Sequence, residues 1–396
     1  MKKLFLTLAG IGFMFGVGVC SAQEQNSPYQ FSIVKEVPAT PVKDQFSSGT
    51  CWSFSGLGFL ESELLRMGKG EFDLSEMWIV RHSYFDRAVK YARMHGKAEF
   101  SQGGALGDVI TAIKNYGIVP EEIYTGLQYG SDKHRHSELE ALLQGYMKAV
   151  IGNHNGSLTP SWTDGLNGIL DAYLGQVPET FVYEGVEYTP QSFAEHLGLN
   201  MDDYVTITSF THHPFYTAFP VEVPDNWAWE LSYNVPMDEM MEIIDNAINE
   251  GYAVGWGADV SEPGFIYSKG FAVMPDTAND NNDNTEWSKW ETMSANSRRY
   301  MIANASEPLS EVTVTQEMRQ TAFDNYDTTD DHGMVITAIA KDQNGNKFYK
   351  VKNSWNTDNP YGGYVYASAP YVQYKTLDIC VHKNAIPKNI RKKLGI

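Results

Sequence analysis

Apolar residues recur with a helical period in the first third of the chain. In residues 54–65 they lie three and four positions apart, which predicts an amphipathic helix that begins near Cys51 and ends before Gly68. Ser75 is a suitable N-cap for a second helix that ends at Gly96. A glycine-rich loop and a shorter helix follow in "SQGGALGDVITAIKNYGIVP". The first 120 or so residues are therefore predicted to be mostly helical.

The pattern changes near the C-terminus, where short runs alternate apolar and polar residues. In "HGMVITAIAKDQNGNKFYKVKNSW" two such runs flank Asn344-Gly345, a strong signal for a β-hairpin turn. Between the two regions, "PMDEMMEIIDNAINEGYAVGWGADV" predicts a capped helix followed by a strand, and "SDKHRHSELEALLQGYMKAV" an exposed helix. Helices early and strands late predict an α+β fold.

The first 22 residues form a separate segment. Two lysines precede an apolar run over residues 4–19, and small residues end it at Ala22, which is typical of a secretory signal peptide. The run is short for a membrane span. We therefore expect an exported protein, periplasmic or secreted. Anchoring as a lipoprotein through Cys20 is the alternative.

The remaining chain is predicted to be one domain with insertions. Its expected parts are a helical part at about 43–120, insertions at about 121–235 and 275–320, a β-rich part at about 321–381 and a tail at 382–396. The second insertion contains "DTANDNNDNTEW". Because this stretch lacks the ligand order of an EF-hand, we interpret it as a solvated loop.

The formal net charge of −19 makes nucleic acid an unsuitable partner, because its phosphates would be repelled. After removal of the signal, no segment predicts a membrane interaction. The sequence contains no CxxC and no Cys/His cluster with zinc-ligand spacing. No metal or organic cofactor is implied.

Cysteine usage draws attention to Cys51. If Cys20 leaves with the signal, only Cys51 and Cys380 remain, and one pair is not a disulfide framework. Cys380 lies in the strand-like "TLDICVHK" and is interpreted as a buried structural thiol. Cys51 lies at a predicted helix N-terminus, where unpaired N–H groups and the helix dipole lower the pKa of a thiol. We therefore predict that Cys51 is a nucleophile, which must stay reduced.

Four other residues complete a candidate site. Gln45, six residues before Cys51, can donate to an oxyanion. His332 opens a predicted strand, and the hairpin brings Asn353 beside it, so that the amide can orient the imidazole. Trp355 can cover that hydrogen bond. Nine other histidines lack such a context.

The order "Q-x5-CW", "HG", "NSW" resembles that of the papain superfamily of cysteine peptidases, and more narrowly the bleomycin hydrolase and aminopeptidase C family. "QGGALGDVITAIKNYGIVP", "HHPFY" and "KNSWN…YGGYVY" are similar to that family too. The resemblance implies a papain-like fold, with the active-site cleft between a helical N-terminal subdomain and a β-barrel-like C-terminal subdomain. It also implies peptide substrates, a hexameric assembly and aminopeptidase activity.

The resemblance assigns roles by position. Cys51 would be the nucleophile, His332 the base and acid, Asn353 the orienting residue and Gln45 the oxyanion donor, with Gly103 and Gly104 pairing with the substrate backbone. In this family the C-terminal carboxylate lies in the cleft and holds the substrate's amine. Here the basic end "RKKLGI" makes that role less favourable, so an endopeptidase with an open cleft stays an alternative. A catalytically idle peptide-binding protein is a further one.

The sequence departs from the papain pattern in two ways. Cys51 and His332 are 281 residues apart, which the large insertions explain. The residue before Cys51 is Thr50, and the papain signature "CGSCW" is absent. Asp331 precedes the histidine, and its carboxylate can raise the imidazole pKa or simply face solvent.

Overall fold

We describe the protein from a computed structural model, which covers residues 27–153, 156–276 and 293–396. The α+β class is confirmed. The predicted signal peptide and nearly all of the Asp/Asn-rich stretch lie outside the described residues. Within those three ranges, no helix combines the length and apolarity that crossing a membrane would require.

Eleven α-helices occur in the described ranges, most of them in the first two thirds of the chain. They are α1 Cys51–Arg66, α2 Glu76–Arg93, α3 Leu106–Tyr116, α4 Ser137–Ile151, α5 Ser161–Leu174, α6 Pro190–Leu197, α7 Met237–Asn249, α8 Ala295–Ala303, α9 Gln316–Asp324, α10 Ala369–Lys375 and α11 Lys388–Leu394. Short 3-10 helices lie at Glu121–Ile123, Met201–Asp203, Tyr267–Lys269 and Lys383–Ala385.

Thirteen strands occur in the same ranges: β1 Ser32–Glu36, β2 Phe181–Tyr183, β3 Val186–Tyr188, β4 Tyr204–Thr208, β5 Ala218–Pro220, β6 Leu231–Asn234, β7 Val254–Ala258, β8 Phe265–Ile266, β9 Phe271–Ala272, β10 His332–Lys341, β11 Lys347–Lys352, β12 Tyr364–Ser368 and β13 Thr376–His382. Strands β2 and β3 form a separate hairpin. The other eleven form one mixed sheet in the order β5-β6-β4-β13-β7-β10-β11-β12-β9-β8, with β1 beside β10.

Helix α1 is the centre of the molecule, because all of its residues from Trp52 to Leu64 are buried. It packs on β10 on one side and on α2 and α3 on the other. Gly56 lets α3 approach closely, since a Cβ there would lie 2.5 Å from a methyl carbon of Val109. The N-terminal residue of α1 therefore lies where the helical part meets the sheet.

The sequence signals at two element ends are confirmed. Ser75 caps α2 by accepting a hydrogen bond from the backbone N–H of Trp78. The β10–β11 turn has Gly345 at φ +87, while one Asp342 carboxylate oxygen accepts from the N–H groups of Asn344 and Asn346. This hairpin fixes the positions of the residues that begin β10 and follow β11.

Candidate active site

Cys51 is the first residue of α1 and lines a cavity at the junction between the helices and the sheet. The Thr50 side chain makes no capping hydrogen bond. The backbone N–H groups of Trp52 and Gly333 donate hydrogen bonds to the sulfur, and both bonds lower the pKa of the thiol. Burial is the larger effect and raises this pKa above its ordinary value, and the charges of Asp330 and Asp225 raise it further.

The position of Cys51 is thus as expected from the sequence, whereas the expected net lowering of its pKa is wrong. The helix N-terminus acts in the expected direction, but desolvation of the thiolate outweighs it. Cys51 and Cys380 are both free thiols, and Cys380 is 2% exposed, in keeping with a structural role.

His332 begins β10, and its imidazole Nε2 lies 2.6 Å from the Oδ1 of Asn353, which follows β11. The same Oδ1 accepts from the N–H of Ser354 at 2.7 Å, which fixes the amide orientation. Because Oδ1 is an acceptor, Nε2 must carry the hydrogen and Nδ1 keeps its lone pair. His332 can therefore take a proton through Nδ1.

The histidine is nearly buried, at 4% exposed, and burial lowers its pKa to about 4. The hydrogen bond that His332 donates to Asn353 and the charge of Asp331 oppose this shift without cancelling it. Asp331 itself is exposed and accepts from the N–H of Ser261 at 3.0 Å. Burial thus disfavours both the thiolate of Cys51 and the imidazolium of His332.

Trp355 lies against the imidazole, with the two ring centroids 4.5 Å apart and the planes tilted by 33°. Its half-buried indole covers one face of His332 beside the Asn353 hydrogen bond. The position predicted from the "NSW" motif is therefore observed. The indole keeps water away from that side of the imidazole.

Gln45 lies next to the turn that leads into α1 and is 5% exposed. Its Oε1 accepts from the Oγ of Ser354 at 2.6 Å, and its Nε2 donates to the carbonyl of Ser48 at 2.7 Å. These bonds turn the amide nitrogen toward the Ser48–Cys51 turn and leave one of its hydrogens unused. Gln45 does not itself line the cavity.

The glycine loop before α3 forms one wall, and only Gly104 of the predicted pair lines the cavity. A Cβ on Gly104 would lie 2.8 Å from the ring of Trp52. A Cβ on Gly103 would lie 2.1 Å from a carboxylate oxygen of Asp225. We expected glycine here so that substrate could approach the backbone. The neighbouring side chains of Trp52 and Asp225 also leave no space for a Cβ at these two positions.

Four cavity-lining carboxylates escaped the sequence analysis: Asp225, Glu230, Asp330 and Asp378. They come from a loop, from the residue two before His332 and from β13. One signal was available, since Asp378 interrupts the apolar strand "TLDICV".

The C-terminal tail runs away from this cavity. Lys393 of α11 forms an ion pair with Glu239 of α7, and Ile396 packs against the main hydrophobic core. In chain order, the cavity's lining ends at Asp378. The family expectation that the terminal carboxylate lies in the cleft is therefore not met by this chain.

One group among the described residues has the composition of a metal site. The ligating atoms of His212, His213 and Glu222 lie within 4.8 Å of one another. However, the Nδ1 of His212 faces the Nε2 of Gln320, whose Oε1 accepts from the N–H of Thr211. Nδ1 is therefore an acceptor, Nε2 carries the hydrogen, and this tautomer cannot ligate through Nε2.

Two family models match the chain at opposite ends. The model described as "Papain family cysteine protease" matches residues 27–155, which include Cys51, and the model described as "Peptidase C1-like family" matches residues 308–395, which include His332 and Asn353. Together with the fold and the Cys-His-Asn geometry, they place the chain among the papain-like cysteine peptidases.

More narrowly, its relatives are aminopeptidases C and bleomycin hydrolases, as the motifs indicated. Aminopeptidase C of Lactobacillus delbrueckii subsp. lactis is 22% identical, over 90% of this chain and 82% of that protein. Bleomycin hydrolase of Gallus gallus is 23% identical, over 89% of this chain and 83% of that protein. The crystal structure of PepW from Lactobacillus rhamnosis HN001 superposes with a TM-score of 0.67 at 19% identity, covering 92% of this chain and 84% of that one.

Proposed function

We propose that this protein is a thiol-dependent peptidase that releases residues from the N-termini of peptides. The observation that carries the proposal is the shared cavity of Cys51 and His332, with His332 held by Asn353 at 2.6 Å. The arrangement supplies a nucleophile, a proton carrier and an orienting amide. The relatives named aminopeptidase C supply the choice of N-terminal cleavage.

The chemistry follows from the placement of Cys51 and His332 on one cavity. As the sulfur of Cys51 bonds to the scissile carbonyl carbon, its proton passes to Nδ1 of His332, and the carbonyl electrons move onto oxygen. Backbone N–H groups at the start of α1 and the Nε2 of Gln45 stabilise that oxyanion. The imidazolium then protonates the leaving amine, and the C–N bond breaks to give a thioester.

Hydrolysis completes the cycle. His332 takes a proton from water as the water oxygen attacks the thioester carbon. The C–S bond breaks, the sulfur recovers the proton, and the N-terminal residue leaves as the free acid, the shortened peptide having already left as the amine. Asn353 holds the ring in one orientation throughout, because its Oδ1 bonds to Nε2 and not to the nitrogen that transfers protons.

The test is hydrolysis of a leucyl coumarin amide with a free amine, compared with its acetylated form. We expect turnover of the free amine only, abolished in Cys51→Ala and retained in Cys380→Ala. Equal cleavage of the acetylated form would favour the open-cleft endopeptidase. Absence of Cys51-dependent turnover on any peptide would favour the idle binding protein.

We further propose export with cleavage after Ala22, and assembly into a hexamer. The basic and apolar pattern of residues 1–22 supports export, and the family resemblance supports the hexamer. Mass spectrometry of protein recovered from the periplasm of a bacterial host should show Gln23 as the first residue, and light scattering should give six times the monomer mass. An intact Met1, a lipid-modified Cys20 or a monomeric mass would contradict the respective proposal.

A further inference from the structure

The loop over residues 221–230 joins β5 to β6 and forms one wall of the cavity that holds Cys51. In the sheet order β5-β6-β4-β13-β7-β10, this loop belongs to the outermost pair of strands, and His332 begins β10, four strands in from β6. The cavity therefore extends from the catalytic pair across the sheet to the loop. The lining residues that the loop contributes are Val221, Val223, Asp225, Asn226 and Glu230.

Asn226 holds the two ends of this loop together. The side chain is 6% exposed, and its Nδ2 donates to the carbonyls of Val221 and Glu230 at 3.0 and 3.1 Å. Its Oδ1 accepts from the N–H of Glu230 at 2.8 Å. Because one side chain closes both ends, the middle of the loop projects from the sheet as one unit.

The middle of the loop is attached to α3, in the helical part of the molecule. The indole N–H of Trp227 donates to a carboxylate oxygen of Asp108 at 2.8 Å. The hydroxyl of Thr111 donates to Glu230 at 2.7 Å. A segment whose two ends belong to the sheet therefore reaches the helices on the other side of the cavity.

Helix α2 adds two cation–π contacts to the same segment. The guanidinium carbon of Arg87 lies 5.0 Å from the ring centroid of Trp227, and the Nζ of Lys90 lies 3.9 Å from that of Trp229. Together with the hydrogen bonds to α3, these contacts make the loop a bridge between the two parts of the molecule that form the cleft.

Asp225 closes the space between this bridge and the glycine-rich segment before α3. A Cβ on Gly103 would overlap the carboxylate of Asp225, so not even one further carbon atom fits between them. The next residue, Gly104, packs on the ring of Trp52, which follows Cys51 in α1. The wall of the cavity is therefore continuous from the start of α1 to the loop.

The mechanism decides which part of a substrate faces this wall. In the tetrahedral intermediate, the oxyanion faces the start of α1 and Gln45, and the leaving nitrogen faces Nδ1 of His332. Gln45, Asn353 and Trp355 do not line the cavity. The remaining substituent, which is the residue on the amine side of the scissile bond, therefore points into the cavity. Any residue that precedes it in the substrate runs toward the loop over residues 221–230.

We propose that this loop is the specificity determinant that confines cleavage to the N-terminal end of a peptide, because it blocks the path of a longer acyl chain. The inference rests on the proposed peptidase function. It assigns to residues 221–230 an exclusion that the C-terminal tail, packed against the core, does not supply. A short amine-side part fits between Cys51 and the wall, whereas a polypeptide that continues past the loop does not.

The experiment replaces residues 221–230 by Asn-Gly in the full chain. Pro220 and Leu231 are register partners in the antiparallel strands β5 and β6, so a two-residue turn can join them. The substrates are an acetylated decapeptide, whose products are identified by mass spectrometry, and leucyl coumarin amide with a free amine. We expect the ratio of internal cleavage to coumarin release to rise at least about tenfold over wild type, since a steric block on one substrate is removed.

A point variant tests the wall without removing the loop. Asp225→Gly opens the contact with Gly103 and should raise the same ratio, by less than the loop replacement does. The matched control is Glu222→Gln, because Glu222 lies on the same loop but faces His212 and His213 and does not line the cavity. Its ratio should stay at the wild-type value, and melting temperatures verify that each variant is folded. An equal rise in Glu222→Gln would overturn the assignment to the wall.

A measurement of access separates this inference from the underlying function. An acetylated tripeptide chloromethyl ketone places its peptide on the acyl side of Cys51, whereas iodoacetamide needs no room there. Loop replacement should raise the alkylation rate of the first reagent relative to the second, and that result would support the wall even if wild type hydrolysed no peptide. If both ratios stay unchanged while Cys51-dependent turnover is present, the loop is not the determinant and the peptidase stands. Internal cleavage of the acetylated decapeptide by wild type would also overturn the proposal.

Discussion

Ser354 donates a 2.6 Å hydrogen bond from its Oγ to the Oε1 of Gln45. Its own N–H donates to Asn353, and its carbonyl accepts from the N–H of Gln45 at 2.9 Å. One residue thus joins the amide that orients His332 to the amide expected at the oxyanion. The sequence motif "NSW" therefore contains a link between the two halves of the site.

That link predicts the effect of Ser354→Ala. Without the hydroxyl, the Gln45 amide can rotate, and its Nε2 no longer faces the α1 turn in a fixed orientation. We expect kcat to fall about tenfold with little change in KM, because the loss acts on the transition state. In Gln45→Ala, kcat should fall further, by about 10²-fold or more. A Ser354→Ala enzyme with lower affinity but unchanged kcat would contradict this account.

A second prediction concerns thiol reactivity. Cys51 is half-buried, whereas Cys380 is 2% exposed. Iodoacetamide should label the folded protein once, at Cys51, with a rate that rises with pH above neutrality. In His332→Ala the rate at neutral pH should fall, because the base is gone. Peptide mass mapping identifies the site, and labelling of Cys380 at an equal rate would refute the assignment.

Stability in acid provides a third prediction. His136 is fully buried, its pKa is lowered to about 3 by burial, and its Nε2 has no hydrogen-bond partner among the described residues. Between pH 6.5 and about 3 the unfolded chain binds a proton at this histidine and the folded chain does not. This site therefore removes up to about 1.4 kcal/mol of unfolding free energy per pH unit as the pH falls.

His136→Phe removes that titration and should therefore reduce the loss of unfolding free energy as the pH falls. It also loses the contact between Nδ1 and the hydroxyl of Tyr84 at 3.1 Å, which lowers stability by a constant of about 1 kcal/mol. Urea unfolding at several pH values should therefore show a variant that is weaker at pH 7 and gains on wild type toward pH 4. Parallel curves would show that His136 is not the titrating group.

The C-terminal tail gives a fourth prediction. Deletion of Gly395 and Ile396 should leave the preference for free-amine substrates unchanged, because the terminus packs against the core and not in the cavity. Loss of the buried contacts of Ile396 should lower the melting temperature. Lys393→Ala, which removes the ion pair with Glu239 and the hydrogen bond to the Tyr216 hydroxyl but none of the contacts of Ile396, serves as the mild control. A gain of cleavage within acetylated peptides after the deletion would show that the tail is a gate.

Local signals in the sequence sufficed for the element ends that matter most. A cap at Ser75, a turn at Asn344-Gly345 and an apolar period after Cys51 each act over a few residues, and each is observed. The hairpin then brings His332 and Asn353 together, because the register of β10 on β11 decides which ends meet. The catalytic residues could be predicted from the sequence for that reason.

The carboxylates that line the cavity could not be predicted from the sequence in the same way. Asp225, Asp330 and Asp378 are up to 153 residues apart, and only the pairing of β13 with β7 and the fold of a loop bring them to one cavity. The predicted direction of the pKa shift of Cys51 was wrong for a related reason. The helix N-terminus is local, but the burial and neighbouring charges that outweigh it come from the tertiary structure.

The burial that disfavours the thiolate of Cys51 has a consequence for the lifetime of the enzyme. Peroxides and disulfides react with thiolates far faster than with thiols. A sulfur whose thiolate is disfavoured by burial offers oxidants less to attack between turnovers. The same burial that withholds charge from the nucleophile would therefore protect it where reducing agents are scarce.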